Sequence, residues 1–182
     1  MPGDTNGVID VFVRDRQTRT TRRVSLGPGG RQGDSHSFGA AISANGRFVA
    51  FSSAATNLAA ADTNASVDVF VRDRQSGATQ RVSLGPDGVQ SDGGSFTGTI
   101  SADGRFVAFA SYATNLVRGD TNRERDVFVH DRKMGATRRV SLGPGGRQSD
   151  GRRCGPGLGS AGMALAVDVG GRHLGCKSVG AD

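Results

Sequence analysis

The chain has 182 residues, is rich in glycine (29) and poor in aromatics (5%), and carries a formal net charge of +6, almost all of its cations being arginine. No run approaches the ~20 apolar residues of a membrane-spanning helix. The residues before the first motif do not read as a signal peptide, and two cysteines, Cys154 and Cys176, do not make a disulfide framework, which leaves the redox compartment open.

Read from its first residues, the chain repeats itself. Asp-Thr-Asn begins at Asp4, Asp62 and Asp120, and Asp-Val-Phe-Val at Asp10, Asp68 and Asp126. Arg-Val-Ser-Leu-Gly-Pro begins at Arg23, Arg81 and Arg139, and Gly-Arg-Phe-Val-Ala-Phe at Gly46 and Gly104, every spacing being 58 residues. Repetition on that scale marks an array of supersecondary units, each burying its apolar faces against its neighbours. The expected divisions are a partial unit at 1–35, full units at 36–93 and 94–149, and a divergent Gly-rich tail at 150–182. Within the tail, 166–178 can be laid on the first hairpin of a unit. Gly3-Asp4-Thr5-Asn6 matches Gly119–Asn122, so Met1 opens in mid-unit and the chain is expected to be a piece of a longer array.

Each unit divides into four β segments. The first runs from Ser95 to Ser101 (Ser37 to Ser43), and Asp103-Gly104 (Asn45-Gly46) is the preferred centre of a two-residue hairpin because both positions tolerate positive φ. The second is Arg105–Ser111 (Arg47–Ser53); a polar connection leads to the third, Asp126–His130. A turn at 133–136 gives the fourth, Thr137–Leu142, and Gly-Pro-Gly-Gly at 143–146 breaks the sheet. Phe-Val-Ala-Phe and Val-Phe-Val are continuous apolar runs without the alternation of a half-exposed strand, so their sheet needs cover on both faces. All nine Phe fall at matched positions of the repeat and are expected in the core. Four antiparallel strands whose middle members are covered on both faces describe a β-propeller blade; a β-helical coil would use far fewer residues per turn. About three blades fall short of the usual ~4–8, so the expectation is an incomplete propeller, either part of a larger ring or a homodimer pooling blades.

Ile100-Ser-Ala-Asp-Gly-Arg-Phe-Val-Ala-Phe109, followed by Asp126-Val-Phe-Val-His-Asp131, resembles a blade of the TolB-like, WD-repeat-like propeller family over roughly residues 1–150. The chain departs from the family pattern at Ala102 and Ala44, where proline is usual, and in a longer link between second and third strands. The resemblance implies a propeller with a binding or scaffolding role rather than an enzyme, and a periplasmic or extracellular location.

For chemistry, the strongest pattern is the connection Asp120-Thr-Asn-Arg-Glu-Arg-Asp126, with copies at 62–68 and 4–10. Oxygen-bearing side chains at positions one, three and seven resemble the start of a calcium loop, and Glu124 adds position five, making Asp120, Asn122, Glu124, Asp126, Asp62, Asn64 and Asp68 the candidate metal ligands. Asp131, at position twelve, lies about 17 Å of extended chain beyond Asp126 and cannot close the same cage. The competing explanation is that these side chains cap a turn through backbone hydrogen bonds. No catalytic residues emerge: His36, His130 and His173 neither repeat nor fall in a nucleophile motif, and the Cys154, His173, Cys176 spacing matches no common zinc pattern. The arginines stand beside aspartate, as in Val-Arg-Asp-Arg at 13–16 and 71–74, without an aromatic platform, so nucleic acid is not expected as a partner. The expected function is a non-enzymatic platform for a protein or other ligand, with self-association and with calcium as the only cofactor in view. The alternative is the propeller portion of a larger hydrolase whose catalytic module lies outside this chain.

Overall fold

A computed structural model describes residues 3–148. Among these residues, ten strands form three antiparallel sheets. The first has β1 (Phe12–Arg14) and β2 (Thr21–Arg23). The second has β3 (Ser37–Ile42), β4 (Phe48–Ser53), β5 (Asp68–Asp73) and β6 (Thr79–Arg81), side by side in chain order. The third repeats it with β7 (Ser95–Ile100), β8 (Phe106–Ser111), β9 (Asp126–Asp131) and β10 (Ala136–Arg139). Each sheet ends in a short 3-10 turn at Pro28–Gly30, Pro86–Gly88 or Pro144–Gly146, where Pro fixes the entry and a residue at positive φ reverses the chain. The architecture is all-β, with four-stranded antiparallel propeller blades. The candidate hairpin at 166–178, with Cys154, His173 and Cys176, lies outside the described residues.

The continuous apolar runs are explained by cover on both sides. Val49 and Phe51 of β4 and Phe70 of β5 pack with Val11 and Val24 of the first unit. From the other face, Ala50, Val69, Val71 and Val82 pack against Ile100, Val107, Phe109, Leu116 and Phe128 of the third. The rule is the same at both junctions: the paired Phe of one blade lie on the Val row of the blade before it. Phe51 and Phe70 stack at 6.0 Å and Phe109 and Phe128 at 5.8 Å, and all four are buried. Each such ring contributes about 1.5–3 kcal/mol relative to an exposed one.

Polar links accompany the apolar ones. The Ser37 amide donates to the Ile9 carbonyl (2.7 Å) and the Ser95 amide to the Val67 carbonyl (2.7 Å), one link per junction. The Thr79 hydroxyl donates to the Leu26 carbonyl and the Thr137 hydroxyl to the Leu84 carbonyl, again one unit back. A bulge in β7 between Thr97 and Thr99 frees the Thr97 amide, which donates to Ser52 Oγ of the second blade at 2.7 Å.

Two expectations are corrected. The first hairpin is not a two-residue turn: Ser43 and Phe48 close a four-residue loop in which only Gly46 takes positive φ, at 69°. Asn45 serves through its side chain, accepting from Ser43 Oγ (2.8 Å) and the Arg47 amide (3.0 Å). Nor do all nine Phe lie in the core. Phe38 is 38% exposed, and Phe48 and Phe106 are only partly buried, beneath the guanidinium groups of Arg47 and Arg105 at 4.8 and 4.7 Å.

Candidate functional site

The Asp-Thr-Asn connection enters the third strand of each blade, and the strand's register carries its last aspartate inward. Asp68 opens β5 opposite Ser53 and is completely buried. Its Oδ1 accepts from Ser83 Oγ (2.5 Å) and Ser91 Oγ (2.9 Å), and its Oδ2 from Asn64 Nδ2 (3.0 Å) and Arg81 Nη1 (3.1 Å). The same Arg81 nitrogen stands 3.3 Å from Asp62 Oδ1 and donates to Gln90 Oε1 at 2.7 Å. Arg81 Nη2 donates to the Ala61 carbonyl at 3.2 Å, and Asn64 Nδ2 also reaches the Ser91 carbonyl at 2.9 Å. Every oxygen of Asp68 is thus satisfied by groups of its own unit.

The other units repeat the arrangement. Arg23 pairs with Asp4 (2.9 Å) and Asp10 (3.4 Å), while Asn6 Nδ2 and Ser25 Oγ donate to Asp10. Arg139 pairs with Asp120 (2.8 Å) and Asp126 (3.2 Å), while Asn122 Nδ2 and Ser141 Oγ donate to Asp126. The sequence-derived ligands Asp62, Asn64 and Asp68 therefore meet, as do Asp120, Asn122 and Asp126. Glu124 does not join them; it is exposed, and only its backbone amide turns in, to Asn122 Oδ1 at 3.2 Å. The positive charge between the carboxylates is a guanidinium. Among the described residues no group of three or more His, Cys, Asp or Glu is placed to hold a metal ion. Burial pushes the Asp62 and Asp120 carboxyls up from their usual range, against the pull of Arg81 and Arg139.

Sequence reasoning found the carboxylates and missed their partners. The signal was present: Arg81, Ser83 and Gln90 recur at the same interval as the aspartates. What hid it is distance along the chain, since Arg81 lies 13 residues past Asp68 and reaches it only because β6 returns alongside β5.

A second polar set lies at the opposite end of the blades. Arg47 donates to both oxygens of Asp73 (2.9 and 2.8 Å), and Arg105 to both of Asp131 (3.0 and 2.7 Å). These bidentate bonds hold both carboxyls below the usual range, Asp131 at about 2. A carboxyl depressed in the folded state stabilises fully above its unfolded value, near 3.8, and loses that contribution as pH falls through its folded value. Arg47→Met should therefore destabilise by an amount that is constant above about pH 5 and falls steadily below about pH 4, with part of it still present near pH 2 because the folded Asp73 carboxyl titrates lower still. Urea unfolding of both proteins across that range checks it; a difference that does not change with pH would contradict the assignment.

His130 does not enter either set. It is buried, its Nδ1 lies 3.0 Å from Thr137 Oγ1, and burial lowers its pKa. His36 Nδ1 accepts from the Ile9 amide at 3.0 Å.

No protein-family model matches the chain, and no curated protein matches it. Among solved structures, it is similar to TolB from Acinetobacter baumannii, at 15% identity and TM-score 0.43, over 76% of this chain and 27% of that one. It is also similar to a putative TolB from Agrobacterium tumefaciens (18%, TM-score 0.45, 71% of this chain and 40% of that one). The third is the tricorn protease (14%, TM-score 0.44, 74% and 11%). The chain spans well under half the length of each.

Proposed function

We propose that this chain is a non-catalytic propeller segment that serves as a binding and scaffolding platform, and that it associates with a second copy through its blade flanks. The observation that carries the first part is how the connection aspartates are used. Asp4, Asp10, Asp62, Asp68, Asp120 and Asp126 are all paired with an arginine of their own unit. Residues spent in this way hold up the loops and leave the loop surface for recognition. In this reading Arg81 and Arg139 do the work that calcium would do in a calcium loop. A periplasmic or extracellular location belongs to the same proposal and rests on the motif resemblance.

Association is supported by the third blade's outer face. Val129 and Val140 are only partly buried, whereas their counterparts Val71 and Val82, covered by the next blade, are 1% and 0% exposed. Two Val that one blade buries and the next leaves partly open, beside the buried Val127, fit a surface for another blade. Light scattering of the purified chain tests this: the expected mass is twice the 18.8 kDa of one copy. A single-copy mass throughout the micromolar range would overturn the association.

A further inference from the structure

The second and third units differ at positions spread along the repeat, and seven of those differences fall in the connection to the third strand. Residues 53–68 and 111–126 share the Ser, Ala, Thr, Asn, Leu and Asp residues that make internal hydrogen bonds or enter the core. There the third unit changes Ala54 to Tyr112, Ala59 to Val117, Ala60 to Arg118, Ala61 to Gly119, Ala65 to Arg123, Ser66 to Glu124 and Val67 to Arg125, and all of the new residues except Val117 are exposed. Tyr112 is the only tyrosine of the chain.

Three strands bring part of this set together. Ser95, Ser111 and Asp126 lie in one row across the sheet, so Phe96, Tyr112 and Arg125, each next to a member of the row, emerge at the same end. The Tyr112 and Phe96 rings meet edge to face, 6.5 Å apart at 90°. The Arg125 guanidinium lies over both, 5.6 Å from Phe96 and 5.9 Å from Tyr112. Tyr112 remains 53% exposed. Arg125 makes no ion pair among the described residues. Two of the changed residues, Tyr112 and Arg125, close around Phe96, a ring the repeat already carries at Phe38.

We propose that Phe96, Tyr112 and Arg125 form a seat for an acidic peptide segment, in which a carboxylate takes the guanidinium fork and a neighbouring apolar side chain rests on the exposed ring. An arginine held against aromatic rings loses side-chain freedom while its guanidinium N–H groups can still bond a carboxylate bidentately. Arg118 and Arg123 on the same connection, and the net charge of +6, favour an anionic partner. This inference rests on the platform reading and names the partner's chemistry.

The test uses the full chain and a fluorescein-labelled peptide of alternating Glu and Phe, with the same peptide carrying Gln for Glu as its control, followed by fluorescence anisotropy. The acidic peptide should bind, and Arg125→Ala and Tyr112→Ala should each weaken it by about ten-fold or more, while Tyr112→Phe, which keeps the ring stack, binds as the parent does. Arg16→Ala, an exposed arginine elsewhere, removes the same charge and should change little. Equal losses from Arg16→Ala and Arg125→Ala, equal binding of the Gln peptide, or no binding at all would overturn the seat. So would an oligothymidylate that binds more tightly than the peptide at equal salt and depends on Arg125. Unfolding midpoints of the variants within the range of the parent exclude loss of fold as the cause. A chain that has the predicted two-copy mass but ignores the peptide contradicts the seat and leaves the association in place.

Discussion

Asp68→Ala is expected to remove about 3–5 kcal/mol of stability, because it leaves the Arg81 guanidinium inside the blade with only Asp62 for a counter-charge. Arg81 and Asp68 are 6% and 0% exposed, so water cannot replace the lost carboxylate without opening the sheet. The loss extends beyond the ion pair, since Ser83, Ser91 and Asn64 all donate to the same group. Ser83→Ala removes one of those donors and should cost about 1–3 kcal/mol. Urea unfolding of the three proteins measures the series. Millimolar calcium should shift none of the midpoints; a calcium-dependent rise in the parent that Asp68→Ala abolishes would show that the connection holds a metal.

Gly104→Ala is expected to be far more damaging than Gly46→Ala, although both glycines occupy the same place in the repeat. Both have positive φ, 76° and 69°, and a Cβ there costs about 1–2 kcal/mol in either blade. The difference lies in what stands next to them. A Cβ on Gly104 would fall 2.1 Å from Phe48 Cδ2 of the preceding blade, while one on Gly46 would meet the end of the Arg74 side chain at 3.5 Å and Ile42 Cδ1 at 4.0 Å. Phe48 cannot swing aside freely, because Arg132 lies over its ring at 4.4 Å and is tied to the Gly104 carbonyl at 2.7 Å. The overpacking adds roughly 1–3 kcal/mol to Gly104→Ala alone. Introducing Phe48→Ala should recover much of that excess, so the two changes together cost less than their sum. Equal effects at the two glycines would mean that the blades do not meet here.

Much of the architecture was legible because the repeat states it several times. The uninterrupted Phe-Val-Ala-Phe and Val-Phe-Val runs demanded two covered faces, and Val49, Ala50 and Phe51 divide between the first and third units as that demand requires. Turn chemistry was less legible: Asn45-Gly46 marks where the hairpin lies, but its geometry depends on Ser43 Oγ bonding to the Phe48 amide, a local choice that pattern does not encode. At the connection, the sequence displayed the carboxylates as a linear string of oxygen ligands. Only the lateral pairing of β5 and β6 shows that the nearest cation is an arginine. Phe38 and Phe96 mark a further limit. Their recurrence said they were structural, yet the bulge in their strand leaves both rings partly outside the core.

The flank-to-flank packing of successive blades is tested most directly by proton contacts in solution, without altering the molecule. A nuclear Overhauser spectrum should show a strong cross-peak between the α hydrogens of Gly104 and the ring of Phe48, 56 residues earlier in the chain. If the Gly104 α hydrogens touch only their own hairpin, and the Phe48 ring only its own sheet, the units are not propeller blades laid against one another.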